Sequence, residues 1–378
     1  MYKLRSLTLL LICGIIAGWA HAAGAANATT DLEQFNRDGS FAALIPHVVE
    51  QRPFYGLASY YNGLAFYLVR ADEIQTLEPG QQINLVEGDW FAAVGRFNTM
   101  LLNTPGTNLE IEAQTLRIPN EAPLHLNAIL VRKDKLNEYG TTVDQLRYFQ
   151  LWWPFAKLAR AVEWSLVQLR ALTGFGWGMT IVVFTCLLKI LMLPLSILAA
   201  RMQRQVSQHQ SQLAPVLAEI KAKYDGEQAH NRLIAAHKEL GISTFFALKP
   251  MLLMFVQVPI WIAVFNALGE MPQLAGSSFL WITDLSYPDA IATVALALPL
   301  FGDSVSLLPW IMTGLTLLSL VMLQDLHAPA DELKRQKRNL YLMALAFFIL
   351  FYPFPAAMVL YWTLSNALQI VQQKLLRP

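Results

Sequence analysis

Lys189 stands where a cation is expensive. It lies in the middle of the otherwise uncharged apolar run Trp177–Ala199, and a charge at the centre of a bilayer costs about 2.5–3.5 kcal/mol on insertion scales. Thr185 precedes it by one turn and Ser196 follows by two, so on a continuous helix the three share a face. A second polar stripe marks the last apolar run, where Trp362, Ser365, Asn366, Gln369 and Gln373 recur at helical spacing. Gln257 and Asn266 interrupt another run, and Thr313, Thr316 and Ser319 a further one. None of these runs contains Asp, Glu or His, so none offers Lys189 a carboxylate or a paired acid and base for bond chemistry. Hydrogen bonds gluing a helix bundle account for most of the Ser and Thr. A central cation without an acid needs a water-filled cavity. The pattern therefore points to a polar groove open to the cytoplasm.

Five apolar segments must carry these residues. Trp177–Ala199 and Thr244–Leu268 are each long enough to cross a core of about 30 Å, and Ser304–Leu323 is a third. Leu340–Val371 is uncharged and too long for one crossing; Pro353 and Pro355 divide it into spans at 340–353 and 356–373. Helices of about 16 residues reach only about 24 Å, so these spans should thin the bilayer locally. Ile291–Phe301 is apolar but too short to cross and is placed at the interface. The loop 201–241 carries Arg201, Arg204, Lys221, Lys223, Arg232 and Lys238, and 325–339 carries Lys334, Arg335, Lys337 and Arg338. The loop 269–303 has no Lys or Arg. Basic loops stay in the cytoplasm, which puts both of them and the C-terminus inside. Within 201–241, Leu213, Val216, Leu217, Ile220 and Tyr224 form one helical face and Leu233, Ala236, His237 and Leu240 a second. Asp225-Gly226 turns between them, making a cytoplasmic helical hairpin. His230 and His237 on its second arm lack the Cys or Glu partners of a metal site.

The composition agrees with a membrane protein. Apolar residues make up 55% and charged residues 15% of the 378, and the mean hydropathy is +0.38. With 28 Lys plus Arg against 27 Asp plus Glu, the net charge of +1 argues against a general polyanion binder, and no nucleic acid sequence is expected as a partner. Cys13 and Cys186, both in apolar runs, provide no disulfide framework. Residues 1–22 read as a signal peptide or a first membrane anchor, with Lys3 and Arg5, an apolar stretch and Ala20-His21-Ala22. Residues 23–150 have the composition of a soluble domain, with period-two alternation at Leu109–Ala113 and Leu124–Lys133. Turns fall at Glu78-Pro79-Gly80, Asn103-Thr104-Pro105-Gly106 and Pro119-Asn120. They imply a small exported β-sandwich with a short helix near Asp31–Asn36, folding independently of the spans and dispensable to them. In 151–172 the period becomes helical. Phe155, Leu158, Val162, Leu166 and Leu169 share a face, Lys157, Arg160, Glu163 and Arg170 lie away from it, and Trp152, Trp153 and Trp164 add amphipathic rings. This is read as a helix lying in the outer interface.

Several motifs, in order, resemble the YidC/Oxa family of membrane protein insertases. Phe279-Leu280-Trp281-Ile282-Thr283-Asp284-Leu285-Ser286 is similar to the family's outer loop. Phe354-Pro355, Val359-Leu360-Tyr361-Trp362, Ser365-Asn366 and Gln372-Gln373 are similar to its last span. Gln257-x-Pro259-Ile260 and Lys189 followed by Pro194 fit the spans on either side of the hairpin. The resemblance covers about 148–376. It is weaker from Trp90 onward in the outer domain, which is short for the group.

The resemblance implies a polytopic α-helical membrane protein: a five-span insertase core at 173–378 with a cytoplasmic helical hairpin, plus the exported sandwich. It implies a chaperone of the bacterial inner membrane that uses no cofactor or metal and is not an enzyme. Its partners would be nascent membrane proteins and the bilayer, with the ribosome and the Sec translocon as further candidates. The implied substrate groove comprises Lys189, Thr185, Ser196, Gln257, Tyr361, Trp362, Ser365, Asn366 and Gln369. Lys189 stands where the family more often has Arg, and Trp362 where it more often has Tyr. A secondary transporter of a small anionic solute is the alternative, although no repeated halves with paired broken helices are present.

Overall fold

The computed structural model describes residues 34–35, 48, 52–112, 116–117, 128–239, 249–298, 301–322 and 330–376. The leader, the Pro119-Asn120 turn and 244–248 lie outside them.

Alternating apolar residues build the outer domain into two sheets. Strands β1 (Gln34–Phe35), β2 (Ala65–Arg70), β3 (Glu73–Leu77), β5 (Trp90–Val94), β6 (Asn98–Leu102) and β9 (Ala128–Arg132) form an antiparallel sheet in the order β1-β9-β6-β5-β2-β3. Strands β4 (Gln82–Asn84), β7 (Asn108–Ile111) and β8 (Leu116–Arg117) form the second, ordered β4-β7-β8. Phe66, Leu68, Phe91, Met100 and Leu102 from the large sheet meet Leu109 and Ile111 from the small one in a shared core. The residues between them in sequence, Tyr67, Val69, Ala92, Val94 and Leu101, are buried on the opposite face under Leu136, Val143 and Leu146. Period two sorts side chains between faces, but here both faces of the large sheet are covered. Gln34–Phe35 is strand β1, paired with Ala128–Ile129, rather than part of a short helix.

The chain then enters α1 (Trp153–Thr173). Gly174 ends it in the left-handed conformation, φ 68°, with its N–H donating to Arg170 O. Helix α2 (Trp177–Leu191) leaves at 113° to α1. Leu166 is fully buried, while Trp152, Trp153 and Trp164 are about two-thirds exposed. Glu163, read from the sequence as facing away, is buried: it accepts from Tyr148 Oη at 3.0 Å and Gln273 Nε2 at 3.2 Å and pairs with Arg147. Burial and the Glu163 charge hold the Tyr148 phenol well above its ordinary range.

Helix α3 (Leu193–Lys223) and α4 (Gly226–Glu239) form a hairpin that turns at Tyr224–Gly226, where Gly226 takes φ 59°. Helices α5 (Lys249–Glu270), α6 (Leu308–Met322), α7 (Ala330–Phe351) and α8 (Ala356–Leu376) complete the helical part. α8 packs on α2, α5 and α6, α1 runs along α5, and α7 lies on α6.

Two expected spans are corrected. Trp177–Ala199 is not one helix: it breaks at Met192, and α3 continues the second piece directly into the hairpin. Pro194 causes the break, since without an N–H it cannot donate back to Ile190 and it fits the first turn of a new helix. Ser304–Leu323 does not begin as helix. Gly302–Ser306 is strand β11, paired with β10 (Ala290–Leu298) in a hairpin, and α6 starts at Leu308. The break at Tyr352–Pro355 separates α7 from α8. Among the described residues no single helix is both long and apolar enough to cross a membrane, while α1 and α2 pass together as a bent pair.

Candidate functional site

Lys189 lies in the last turn of α2, where the helix carbonyls favour a cation. Its Nζ donates across the helix boundary to Gln369 Oε1 of α8 at 3.1 Å. A neutral amide oxygen supplies a lone pair but no opposite charge, so the ammonium stays half-buried without a carboxylate at this contact. Three residues earlier on α8, Asn366 Nδ2 donates to Thr316 Oγ1 of α6 at 2.8 Å. Gln369 and Asn366 thus turn to different neighbours, and two polar contacts stitch α8 between α2 and α6.

The other expected groove residues divide by what their polar atoms do. Thr185 is fully buried and donates to Ile181 O at 2.7 Å, within its own helix. Ser196 lies beyond the Met192 break, on α3, and donates to Met192 O at 3.0 Å. The helix break at Met192 thus puts Thr185 and Lys189 on α2 and Ser196 on α3. Tyr361 is 3% exposed and meets Phe265 edge-on, with ring centroids 6.1 Å apart. Trp362 sits among Trp261, Phe265, Phe347 and Phe351 at 5.1–5.6 Å, an aromatic cluster of α5, α7 and α8. Gln257 on α5 and Ser365 on α8 are half-buried. Lys189 and Gln369 are the expected residues that meet directly. Thr316 was a visible polar residue in its run but was not assigned to the groove, because sequence spacing alone does not pair α6 with α8.

Asp289 organises the segment between α5 and α6. Its Oδ2 accepts from Trp281 Nε1 at 3.0 Å and from the N–H groups of Leu307 and Leu308 at 3.0 and 2.7 Å. A carboxylate at the N-terminus of α6 satisfies its free N–H groups and complements its dipole. Burial pushes the Asp289 carboxyl up, and these donors oppose the rise. Among the described residues no group of three or more His, Cys, Asp or Glu is placed to hold a metal.

Comparison with known proteins bears on the helical part first. Residues 168–378 match the family model described as 60Kd inner membrane protein. "Membrane protein insertase YidC" of Janthinobacterium sp. (strain Marseille) is 27% identical over 284 residues, 74% of this chain and 45% of that protein. The protein of the same name from Amoebophilus asiaticus (strain 5a2) is 30% identical over 204 residues, 53% of this chain and 33% of that one. The chain spans less than half the length of these curated relatives. A solved structure, "Active YidC insertase crystal structure with the first transmembrane domain resolved", aligns over 83% of this chain and 71% of that one. Its identity is 18% and its TM-score 0.40, too loose a superposition to argue from. The family match covers more than half of the chain, including α2, α6 and α8 with Lys189, Thr316 and Gln369, and the chain belongs to the 60Kd inner membrane protein family.

Proposed function

We propose that this chain is a membrane protein insertase of the bacterial inner membrane. In this reading it receives newly made membrane proteins from the cytoplasmic side and passes their apolar segments into lipid along α5 and α7. The observation that carries it is Lys189: an ammonium set among apolar helices and held by the neutral Gln369. A carboxylate in an arriving segment is a stronger partner for an ammonium than an amide oxygen is, because it adds the attraction of an opposite charge in a poorly solvated site. Short helices would lower the barrier further. α2 has 15 residues, about 22 Å at 1.5 Å per residue, short of a core of about 30 Å.

Five spans, a sandwich on the periplasmic side and a cytoplasmic hairpin and C-terminus belong to the same reading, supported by the placement of the basic loops. The ribosome or the Sec translocon would meet the hairpin arms, which carry Lys223, Arg232 and Lys238. Nothing in the names of the relatives supports the transporter alternative.

The test is reconstitution in proteoliposomes with two single-span clients that differ only in the acidic residues of their short exported tails. The wild type should insert both, and Lys189→Ala should slow the acidic-tailed client by about tenfold while sparing the other, a loss of the order of one charge-assisted hydrogen bond. Equal loss for both clients together with a lowered melting temperature would reduce Lys189 to a bundle contact. No insertion by the wild type would end the reading.

A further inference from the structure

Among the described residues Arg96 is the most deeply buried cation, and the groove does not use it. Arg96 lies between β5 and β6 at the edge of the sandwich and is 4% exposed. Its Nε donates to Gly269 O, in the last turn of α5, at 2.8 Å, and its Nη2 donates to Ser286 O, in the outer loop, at 2.7 Å. Phe54, Tyr61 and Phe97 place their rings 4.3–4.6 Å from the guanidinium carbon. A planar fork of donors on a weakly hydrated cation suits this setting, in which carbonyls take the hydrogens and ring faces take the charge.

Ser286 is the connection that matters. The carbonyls on either side of it face the other way: Leu285 O accepts from Ala357 N at 2.9 Å and Tyr287 O from Ala356 N at 2.8 Å. Those two N–H groups belong to the first turn of α8 and have no acceptor within their own helix. The turn at 285–287 is therefore gripped by Arg96 on one side and caps α8 on the other. Through Gly269 the same guanidinium holds the end of α5. Two further contacts press the sandwich into this corner. Lys133 Nζ pairs with Glu270 Oε2 at 2.9 Å, and Tyr61 packs so closely on Gly269 that a Cβ there would fall 1.9 Å from Tyr61 Oη. This is not the independent appendage that the change of composition near residue 150 suggests.

We propose that Arg96 is a positioning residue of the outer domain that joins the outer end of α5 to the capped start of α8, and so sets a helix along which clients are passed against the helix that holds the partners of Lys189 and Thr316. The proposal rests on the insertase reading for its functional half and on geometry alone for its structural half. α8 carries Asn366 and Gln369, the partners of Thr316 and Lys189, so a loosened start of α8 reaches both polar contacts through a single helix.

The test uses the full chain in lipid nanodiscs and proteoliposomes, comparing wild type, Arg96→Lys and Arg96→Ala. Amide hydrogen exchange is read at Ala356 and Ala357 and in β5 and β6, and insertion is read with the acidic-tailed client. Arg96→Ala should speed exchange at Ala356 and Ala357 by about tenfold and slow insertion by a similar factor, the size expected for losing a hydrogen bond from a charged group, with β5 and β6 still protected. Arg96→Lys, whose single ammonium lacks the fork, should fall between. Unchanged exchange at Ala356 and Ala357 would overturn the proposal, and so would exchange that rises equally in β5 and β6, which would make Arg96 an ordinary core contact. Loosened amides with wild-type insertion would overturn its functional half. If the wild type inserts nothing, the insertase reading has failed, and the exchange data still decide whether Arg96 couples the domains.

Discussion

At the residue scale, the contact between Lys189 and Gln369 invites a substitution that separates attraction from packing. Gln369→Glu keeps the side-chain length and places a carboxylate where the amide oxygen now accepts from Lys189 at 3.1 Å. An internal acid would pair with the ammonium and compete with any acidic segment of a client, since opposite charges in a poorly solvated site attract strongly. Insertion of the acidic-tailed client should fall by about tenfold or more, with the neutral-tailed client and the melting temperature spared. Improved insertion of the acidic tail would contradict capture by Lys189. These two residues were legible in sequence because a polar side chain in an uncharged run stands out against its background. Glu163 and Arg96 were not. Both lie in stretches of mixed composition, and they have partners from far along the chain: Gln273 for Glu163, and Gly269 and Ser286 for Arg96.

At the element scale, periodicity placed most helices and strands, and the errors share a cause. Pro353 and Pro355 interrupt a run too long for one crossing, so the break between α7 and α8 could be inferred from length. Pro194 interrupts a run of ordinary span length, and nothing in that length called for a break at Met192. The apolar segment at 290–298 is short enough to be strand or helix, and only its pairing with β11 decides. Close approach between elements is harder still to read, because a glycine records it only by lacking a side chain. Gly269 is buried at the end of α5 and faces Tyr61, whose Oη donates to Met358 Sδ at 3.4 Å. Gly269→Ala would drive a methyl group into a fully enclosed tyrosine, and overpacking of this kind costs about 1–3 kcal/mol. A lowered melting temperature is expected, partly restored by Tyr61→Phe, which removes the oxygen in the way. A neutral Gly269→Ala would mean that the sandwich can move off α5 at little cost, which would also weaken the role given to Arg96.

At the scale of the whole molecule, the arrangement of charge makes a prediction about sidedness. The α3–α4 hairpin extends from a broken helix whose first half holds Lys189, and it carries Arg201, Lys223, Arg232 and Lys238. The loop between α5 and α6 has no Lys or Arg, and Glu270 at the end of α5 pairs with Lys133 of the sandwich. That pairing and the Arg96 contacts fix the sandwich to the outer-loop ends of α5 and α8, so the sandwich and this loop must share one side of the membrane. Lys and Arg are retained in the cytoplasm near the ends of spans, which predicts the hairpin on the inside and the sandwich on the outside. Glu87 is exposed in the sandwich and Gln228 is exposed on α4, so single cysteines at these positions, in a chain with Cys13 and Cys186 replaced, report each side. An impermeant maleimide added to intact cells should label Glu87→Cys once the outer barrier is opened, and should label Gln228→Cys only after the inner membrane is broken. Labelling of both before lysis would invert or abolish the orientation and would leave Lys189 facing the wrong compartment for a client arriving from the ribosome. Labelling of neither would bury a surface that is open in this fold, and the docking of the sandwich onto α5 would have to be redrawn.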